Sequence, residues 1–276
     1  MNTFRSILAS IRSRIEPVSG ECAQSEAETI IEHVFQCTRN DLFSNGLPAI
    51  SDKQIARIDT IVNRLLTNEP LPYILGSAFF HSKEFKVSSD VLIPRPDTET
   101  LVEKVLEFEQ NDVCRFIDVG TGSGAIAESV RIQRPYWKAI GIDISESALK
   151  IAKINCGHAV RLVCSDMFSS IKTGNYFDFI VSNPPYISEI EMKELDASVK
   201  DFEPARALFG GKDGLDFYRA LSITGKTICK PEARMYCEIG HLQAEAVKSI
   251  FKENGWKNVR QFQDLAGRPR LVSARL

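Results

Sequence analysis

Arg115-Phe116-Ile117-Asp118-Val119, then Gly120-Thr121-Gly122-Ser123-Gly124, then Ala125-Ile126-Ala127-Glu128-Ser129-Val130 read in order as a strand, a glycine turn and the start of a helix. That is how an α/β sheet presents a nucleotide-binding loop. The glycine spacing is G-x-G-x-G, one residue short of the G-x-G-x-x-G dinucleotide fingerprint, so a less anionic ligand fits better than a pyrophosphate. Nineteen positions after Gly124, Asp143 closes the run Ala139-Ile140-Gly141-Ile142. A carboxylate there can accept both hydroxyls of a ribose. Asp166-Met167 follow a third apolar run, Val160-Arg161-Leu162-Val163-Cys164, with the acid available to an adenine amino group and the methionine to its face. Asp166 suits equally well a helix cap before Met167-Phe168.

Downstream, Phe179-Ile180-Val181 leads into Asn183-Pro184-Pro185-Tyr186. Each proline fixes its own φ and pushes the residue before it into an extended conformation, so Asn183 and Pro184 hold their oxygens off the end of a strand. A substrate NH2 group has two hydrogens to place. The Asn183 side-chain oxygen and the Pro184 carbonyl can accept one each, with the Tyr186 ring packed near the substrate plane, and the stretch reads as a methyl-transfer site. The plainer reading is a turn, since Asn and Pro are common turn residues.

Strands near Phe116, Ile140, Leu162, Ile180 and Tyr236 alternate with helical runs, which predicts right-handed βαβ units and a mostly parallel sheet. Val259 to Phe262 and Leu271 to Ala274 would add antiparallel strands at the far edge. In such sheets ligands sit beyond the carboxyl ends of the strands, so Gly120 to Gly124, Asp143, Asp166 and Asn183 should converge on one crevice. Ahead of this lie three amphipathic stripes: Phe4, Ile7, Leu8, Ile11 and Ile15; Ile30, Ile31, Val34 and Phe35 behind a capping box Ser25-x-x-Glu28; and Ile55, Ile58, Ile61, Val62, Leu65 and Leu66. Their polar faces mix both charge signs, which favours packing in a bundle over lying on a membrane. The expected organisation is a helical bundle over 1–70, ended by Pro70-Leu71-Pro72, a connector with a hairpin around His81-Ser82-Lys83 over 71–93, and a catalytic domain over 94–276.

The 276 residues are 43% hydrophobic, enough for one large or two modest cores, and 34 basic against 36 acidic residues leave a net charge of −2. That balance gives no global drive toward nucleic acid or an anionic membrane. No apolar run is long enough to span a bilayer and no signal-peptide segment is evident, so a cytoplasmic location is expected. Seven cysteines without a C-x-x-C pair read as free thiols rather than a disulfide framework. The four histidines are far apart in sequence and show no ligand spacing, so no metal site is expected.

With glycine loop, ribose acid, adenine pair and Asn-Pro-Pro-Tyr in this order, the chain resembles the class I S-adenosylmethionine-dependent methyltransferases that modify planar nitrogens. A narrower resemblance rests on Tyr73-Ile74-Leu75-Gly76, Phe79-Phe80, Phe85 and Val91-Leu92-Ile93-Pro94-Arg95-Pro96-Asp97-Thr98-Glu99. It extends through Phe202-Glu203-Pro204, Gly210-Gly211-Lys212-Asp213-Gly214-Leu215, Glu238-Ile239-Gly240 with Gln243, and Ala266-Gly267-Arg268-Pro269-Arg270. These segments are similar to the PrmC/HemK family, which methylates protein glutamine. The resemblance implies a Rossmann-like seven-stranded fold behind a small all-α bundle, S-adenosylmethionine as cofactor, and the Gly-Gly-Gln glutamine of class 1 peptide-chain release factors as substrate. A monomer is expected, and the bundle, which carries no cofactor motif, is expected to recognise the protein substrate because one glutamine loop is too small for a protein interface, the alternative being a lid that only stabilises the catalytic domain. Carried onto this chain, the cofactor site is Gly120, Thr121, Gly122, Ser123, Gly124, Asp143, Asp166, Met167 and Asn183, and the catalytic segment is Asn183, Pro184, Pro185 and Tyr186. Met167 stands where many relatives carry an aromatic residue, so the adenine-stacking contact does not carry over directly. Arg95 and Glu99 read either as closing the cofactor pocket or as a helix entry with an acid in its first turn. Glu203-Pro204 stays outside the site.

Three rivals remain at this level. Adenine-N6 methylation of DNA or RNA uses the same planar NH2, but lacks here a basic track and a target-reading domain. A non-catalytic ribosome- or protein-binding module has no physical need for Gly120, Gly122, Gly124, Asp143 and Asn183 together. A dehydrogenase is disfavoured by the glycine spacing.

Overall fold

The computed structural model describes residues 4–38, 40, 41 and 50–276. It falls into two compact units, Met1–Gly76 with Ala197–Phe202, and Ser77–Asp196 with Glu203–Leu276.

In the first unit, helices α1 (Phe4–Ser19), α2 (Ala23–Phe35) and α3 (Asp52–Leu65) each carry an apolar stripe. Ile11 and Ile15, Ile30 and Ile31, and Ile58 and Val62 bring the three stripes into one core. The side chain of Phe4 lies outside the described residues. A 3-10 turn, Gly20–Cys22, joins α1 to α2 where the sequence suggests a polar loop, so α2 starts at Ala23 and Ser25-x-x-Glu28 falls inside it. Cys22 is already helical, at φ −78° and ψ −10°, and leaves no extended residue at which Ser25 could cap. The Ser25 hydroxyl instead donates back to the Cys22 carbonyl at 2.9 Å. A capping box does form at Ser51 and Gln54, before α3. Pro70-Leu71-Pro72 does not end the bundle: a further short helix, α4 (Leu71–Leu75), accommodates Pro72 in its first turn and buries Leu71 in the same core. The helical unit accordingly continues to Gly76.

The second unit opens with the hairpin β1 (Ser77–Phe80) and β2 (Lys83–Lys86). His81 and Ser82, at φ 43° and 68°, make the two-residue turn whose left-handed backbone matches the twist of a tight hairpin. Then come α5 (Glu99–Phe108), β3 (Arg115–Val119), α6 (Ala125–Gln133), β4 (Lys138–Asp143), α7 (Glu146–Cys156), β5 (Val160–Cys164) and β6 (Phe177–Ser182). The chain closes with α8 (Asp216–Thr224), β7 (Cys229–Glu238), α9 (Ala244–Glu253), β8 (Lys257–Gln263) and β9 (Pro269–Arg275). The seven-stranded sheet has the order β5-β4-β3-β6-β7-β9-β8.

Alternation along β3 sends Ile117 to one face, packed with Leu221 of α8 and Phe251 of α9, and Phe116 to the other, packed with Val102 of α5 and Val130 of α6. Both faces are thereby covered, as a parallel sheet requires. The antiparallel strands expected at the far edge are present: β9 pairs antiparallel with both β7 and β8 and is inserted between them. Four consecutive buried residues, Leu271 to Ala274, suit β9 to an interior position, while the largely exposed β8 takes the edge. The strand order reverses between β3 and β6, which opens a crevice above their carboxyl ends.

No helix among the described residues is long and apolar enough to cross a membrane. All seven cysteines are free thiols, with Cys22 and Cys164 exposed and Cys114, Cys156, Cys229 and Cys237 buried.

Candidate active site

The strand-turn-helix segment positions the first wall of the crevice. Asp118, wholly buried at the end of β3, accepts from the Thr121 hydroxyl at 2.7 Å and the Ala127 N–H at 3.3 Å through Oδ2. Its Oδ1 has no hydrogen-bond partner among the described residues. Burial pushes its carboxyl up to about 7, opposed by those two hydrogen bonds and reinforced by the charge of Asp143. The tether to Thr121 and to the first turn of α6 holds the glycine loop closed over the strand.

Asp143, at the end of β4, accepts the Gly122 N–H at 2.9 Å on Oδ2 and the Ser145 N–H at 2.8 Å on Oδ1. Each oxygen keeps a lone pair for a ligand hydroxyl, so the residue shapes the loop and can still hold a diol. Gly124 serves packing: with φ at 80°, it would place an added Cβ 2.5 Å from Cys156 Sγ, so only glycine lets α6 and α7 approach this closely. A hairpin staple backs the loop. The Asn155 amide accepts from Lys86 N–H at 2.7 Å and donates to the Ser123 carbonyl at 2.8 Å, and Lys83 reaches Glu128 at 2.8 Å.

Gly120, Thr121, Gly122, Ser123, Asp143, Asp166, Met167, Asn183, Pro184 and Pro185 all line one cleft at this end of the sheet. Of the residues singled out from sequence, Gly124 and Tyr186 do not reach its wall. No helix follows Asp166, whose carbonyl closes a turn with Ser169 N–H at 3.0 Å, so the alternative reading of Asp166 as a cap has no helix to serve. Met167 adopts a left-handed φ of 47°, a conformation uncommon for a side-chain-bearing residue, which carries it to the cleft. Sequence reasoning missed Thr98, Ile144, Arg206 and Phe217, which also line the cleft. For Ile144 a signal existed in its place directly after Asp143, the carboxylate at the strand end; the structure leaves its apolar side chain 56% exposed. Two arginines, Arg95 and Arg206, line the cleft, and no lysine among the described residues does.

The second wall is Asn183-Pro184-Pro185-Tyr186, running off β6. Its backbone is gripped from behind by Gln243, whose amide donates to the Tyr186 carbonyl at 2.8 Å while accepting from Gly240 N–H at 3.1 Å. Gly210 packs so tightly against the same segment that an added Cβ would lie 2.6 Å from the Pro185 carbonyl oxygen. The Asn183 side chain donates through Nδ2 to Thr98 Oγ1 at 3.2 Å, which leaves Oδ1 as its free acceptor. Tyr186 turns its hydroxyl to Glu238 Oε1 at 3.4 Å. Burial raises the tyrosine hydroxyl's pKa well above its ordinary value, with the Glu238 charge adding to the rise.

Arg95 and Glu203 form an ion pair, with the Glu203 side chain 1% exposed. It ties the loop before α5 to the Pro204–Ala207 stretch, both of which line the cleft. Burial raises the Glu203 carboxyl and Arg95 draws it back. Glu99 does not line the cleft; it accepts the His81 N–H at 2.9 Å and anchors the hairpin turn.

Residues 6–76 match the PrmC N-terminal domain family, and residues 95–206 match the methyltransferase small domain family. The chain is 37% identical over 277 residues to the release factor glutamine methyltransferase of Koribacter versatilis, covering 99% of this chain and 98% of that protein. It is likewise 37% identical over 254 residues to the protein of the same name from Thermodesulfovibrio yellowstonii, covering 90% of each. Among solved structures, a methyltransferase from Pyrococcus furiosus superposes with a TM-score of 0.55 at 17% identity, over 77% of this chain and 96% of that one, a likeness of fold.

Proposed function

The chain belongs to the release factor glutamine methyltransferase family, and on that premise we propose that it transfers a methyl group from S-adenosylmethionine to the side-chain amide nitrogen of the Gly-Gly-Gln glutamine in class 1 peptide-chain release factors. The observation that carries the reading is the free Oδ1 of Asn183, beside the Pro184 carbonyl, in the same cleft as the glycine loop and Asp143. The residues present suit the cofactor: Asp143 for the ribose hydroxyls, Met167 and Ile144 for the faces of the base, Asp166 for its amino group, and the backbone of Gly120 to Ser123 beneath. When bound, S-adenosylmethionine supplies an electrophilic methyl on a sulfonium.

An amide nitrogen is a poor nucleophile because its lone pair is delocalised into the carbonyl, so the protein's part is placement and exclusion of water. Asn183 Oδ1 and the Pro184 carbonyl each take one N–H, which fixes the nitrogen's position and turns its face toward the cofactor side of the cleft. The Arg95–Glu203 pair holds two edges of the cleft together while this occurs. The helical unit supplies the larger contact with the release factor, because one glutamine loop is too small for a protein interface. We assign the enzyme to the cytoplasm as a monomer, acting on protein.

Incubation with methyl-labelled S-adenosylmethionine, release factor and, separately, DNA and RNA tests this. One methyl on the Gly-Gly-Gln glutamine by mass spectrometry is the expected result. Label on nucleic acid with none on release factor would establish the adenine-directed alternative.

A further inference from the structure

A second cavity opens on the α5 face of the sheet, over β7, β9 and β8, and it shares no lining residue with the cleft. Arg234 of β7, Arg275 of β9 and Arg260 of β8 line it, and no acidic residue among the described residues does. Phe108 and Phe262, 5.4 Å apart between ring centroids, form its apolar side. The strand registers set Arg234 directly opposite Arg275, and Ser273 opposite Arg260. Like charges directly opposite on one face of a sheet are destabilising, so this cluster needs negative charge to hold it together.

The protein's own acids supply only part of that charge. Arg234 donates to Glu109 Oε1 at 2.9 Å and to the Phe108 carbonyl at 3.0 Å, which fixes its guanidinium. Arg275 pairs with Glu232 at 2.7 Å, but the Glu232 side chain is 65% exposed, and such a surface pair contributes little. Arg260 is exposed and makes no ion pair or side-chain hydrogen bond among the described residues. Two further donors lie at the cavity without an acceptor. Arg275 Nε is buried and has no hydrogen-bond partner among the described residues. Ser273, only 8% exposed, lines the cavity, and its hydroxyl is likewise unpartnered among them. Buried donors in native folds find an acceptor, and one left without it carries its full desolvation cost.

The backbone is shaped around the same space. Between the pairs Lys257–Arg275 and Arg260–Ser273 the register shifts, so that β8 carries one residue more than β9. At that bulge Asn258 takes a left-handed φ of 48° and itself lines the cavity. A bulge re-aims the side chains beside it, and here it brings Asn258 and Arg260 to one wall.

We propose that this cavity binds a phosphate group, carried either by free phosphate or by a phosphate monoester. Its donors reach in from three strands, which matches a tetrahedral anion with oxygens pointing in several directions. A carboxylate is planar and is satisfied by one bidentate arginine. The cavity measures about 140 Å³, several times the roughly 30 Å³ share of one water, so a phosphate group fits. Arg275 Nε, the Ser273 hydroxyl and Arg260 bond the anion, while Arg234 stays on Glu109 and adds its charge.

In the full chain labelled with ¹⁵N-arginine, inorganic phosphate titrated at constant ionic strength should shift the Arg275 Nε–H resonance, identified by its loss in Arg275→Lys, along a saturable curve. Acetate at the same ionic strength should leave it in place. Arg260→Ala, at an exposed position without a partner, should fold as wild type does and weaken phosphate binding by about tenfold or more, the share of a charge-assisted hydrogen bond. Phosphate should also raise the Tm of wild type and leave that of Arg260→Ala nearly unchanged. Glycerol phosphate distinguishes the source: tighter binding than inorganic phosphate assigns the site to a monoester, and weaker binding assigns it to the free ion. No saturable shift with phosphate, an equal shift with acetate, or wild-type phosphate affinity in Arg260→Ala overturns the proposal.

Discussion

At the scale of single residues, two side chains in one cleft are expected to fail in different ways. Asp143 bonds the Gly122 and Ser145 N–H groups and keeps lone pairs that, in the proposed function, take the ribose hydroxyls. Asp143→Ala should weaken S-adenosylmethionine binding by about 1 to 3 kcal/mol. Asn183 touches Thr98 and the substrate side of the cleft, so Asn183→Ala should spare cofactor affinity and lower turnover by on the order of 10². Calorimetry against single-turnover rates separates them, and equal cofactor affinity in wild type and Asp143→Ala would contradict the assignment. A second expectation concerns pH. Asp118 and Glu238 are both raised to about 7 by burial, far above the unfolded range for carboxyl groups. The folded state then holds more protons on these two groups than the unfolded one between about pH 4 and 7, so the stability they contribute is greatest below that window and is lost as pH rises through it. Thermal unfolding from pH 5 to 8 should show this decline in wild type and a shallower one in Asp118→Asn. An unchanged slope in the variant would remove Asp118 from the account.

Between elements, the decisive contacts hold loops whose own sequences have little structural preference. Asn183 to Tyr186 has no regular structure of its own and is placed by Gln243 and by the glycine loop that begins at Gly210. Gly210→Ala would drive a methyl group against the Pro185 carbonyl, which cannot move aside without carrying the clamp with it. The expected outcome is a folded protein with near-wild-type cofactor affinity and at least tenfold slower methyl transfer, since a displacement of about 1 Å suffices for losses of that order. Unaltered single-turnover kinetics would show that the segment is held by its prolines alone. The hairpin β1–β2 is stapled in the same manner, by Asn155 and Lys83 to the glycine loop and α6.

At the scale of the whole molecule, the helical unit has a core of its own in Ile15, Ile31, Ile58 and Val62. Its proposed role is recognition of the release factor. A chain beginning at Ser77 should bind S-adenosylmethionine normally and raise KM for full-length release factor, with little change toward a short Gly-Gly-Gln peptide. Equal KM for full-length factor in the two chains would leave the unit a purely structural part.

The sequence alone determined the order of strands and helices, the glycine turn, the carboxylate of Asp143 at a strand end and the proline-stiffened Asn183-Pro184-Pro185-Tyr186 segment, because each depends on contacts within a few residues: hydrophobic period and proline and glycine backbone limits. Where the reading differed from the fold, the competing interaction was tertiary. Ser25 and Glu28 have the spacing of a capping box, yet the preceding turn is already helical. Pro70-Leu71-Pro72 reads as a terminator, yet Leu71 finds the bundle core. The antiparallel edge is legible in the sequence, but only burial on both faces decides that β9 lies inside and β8 at the edge. The ion pair of Arg95 and Glu203 joins residues 108 positions apart. Only tertiary structure could set it, because a guanidinium and a carboxylate acquire a fixed pairing once burial of the Glu203 side chain removes the water that would otherwise solvate it.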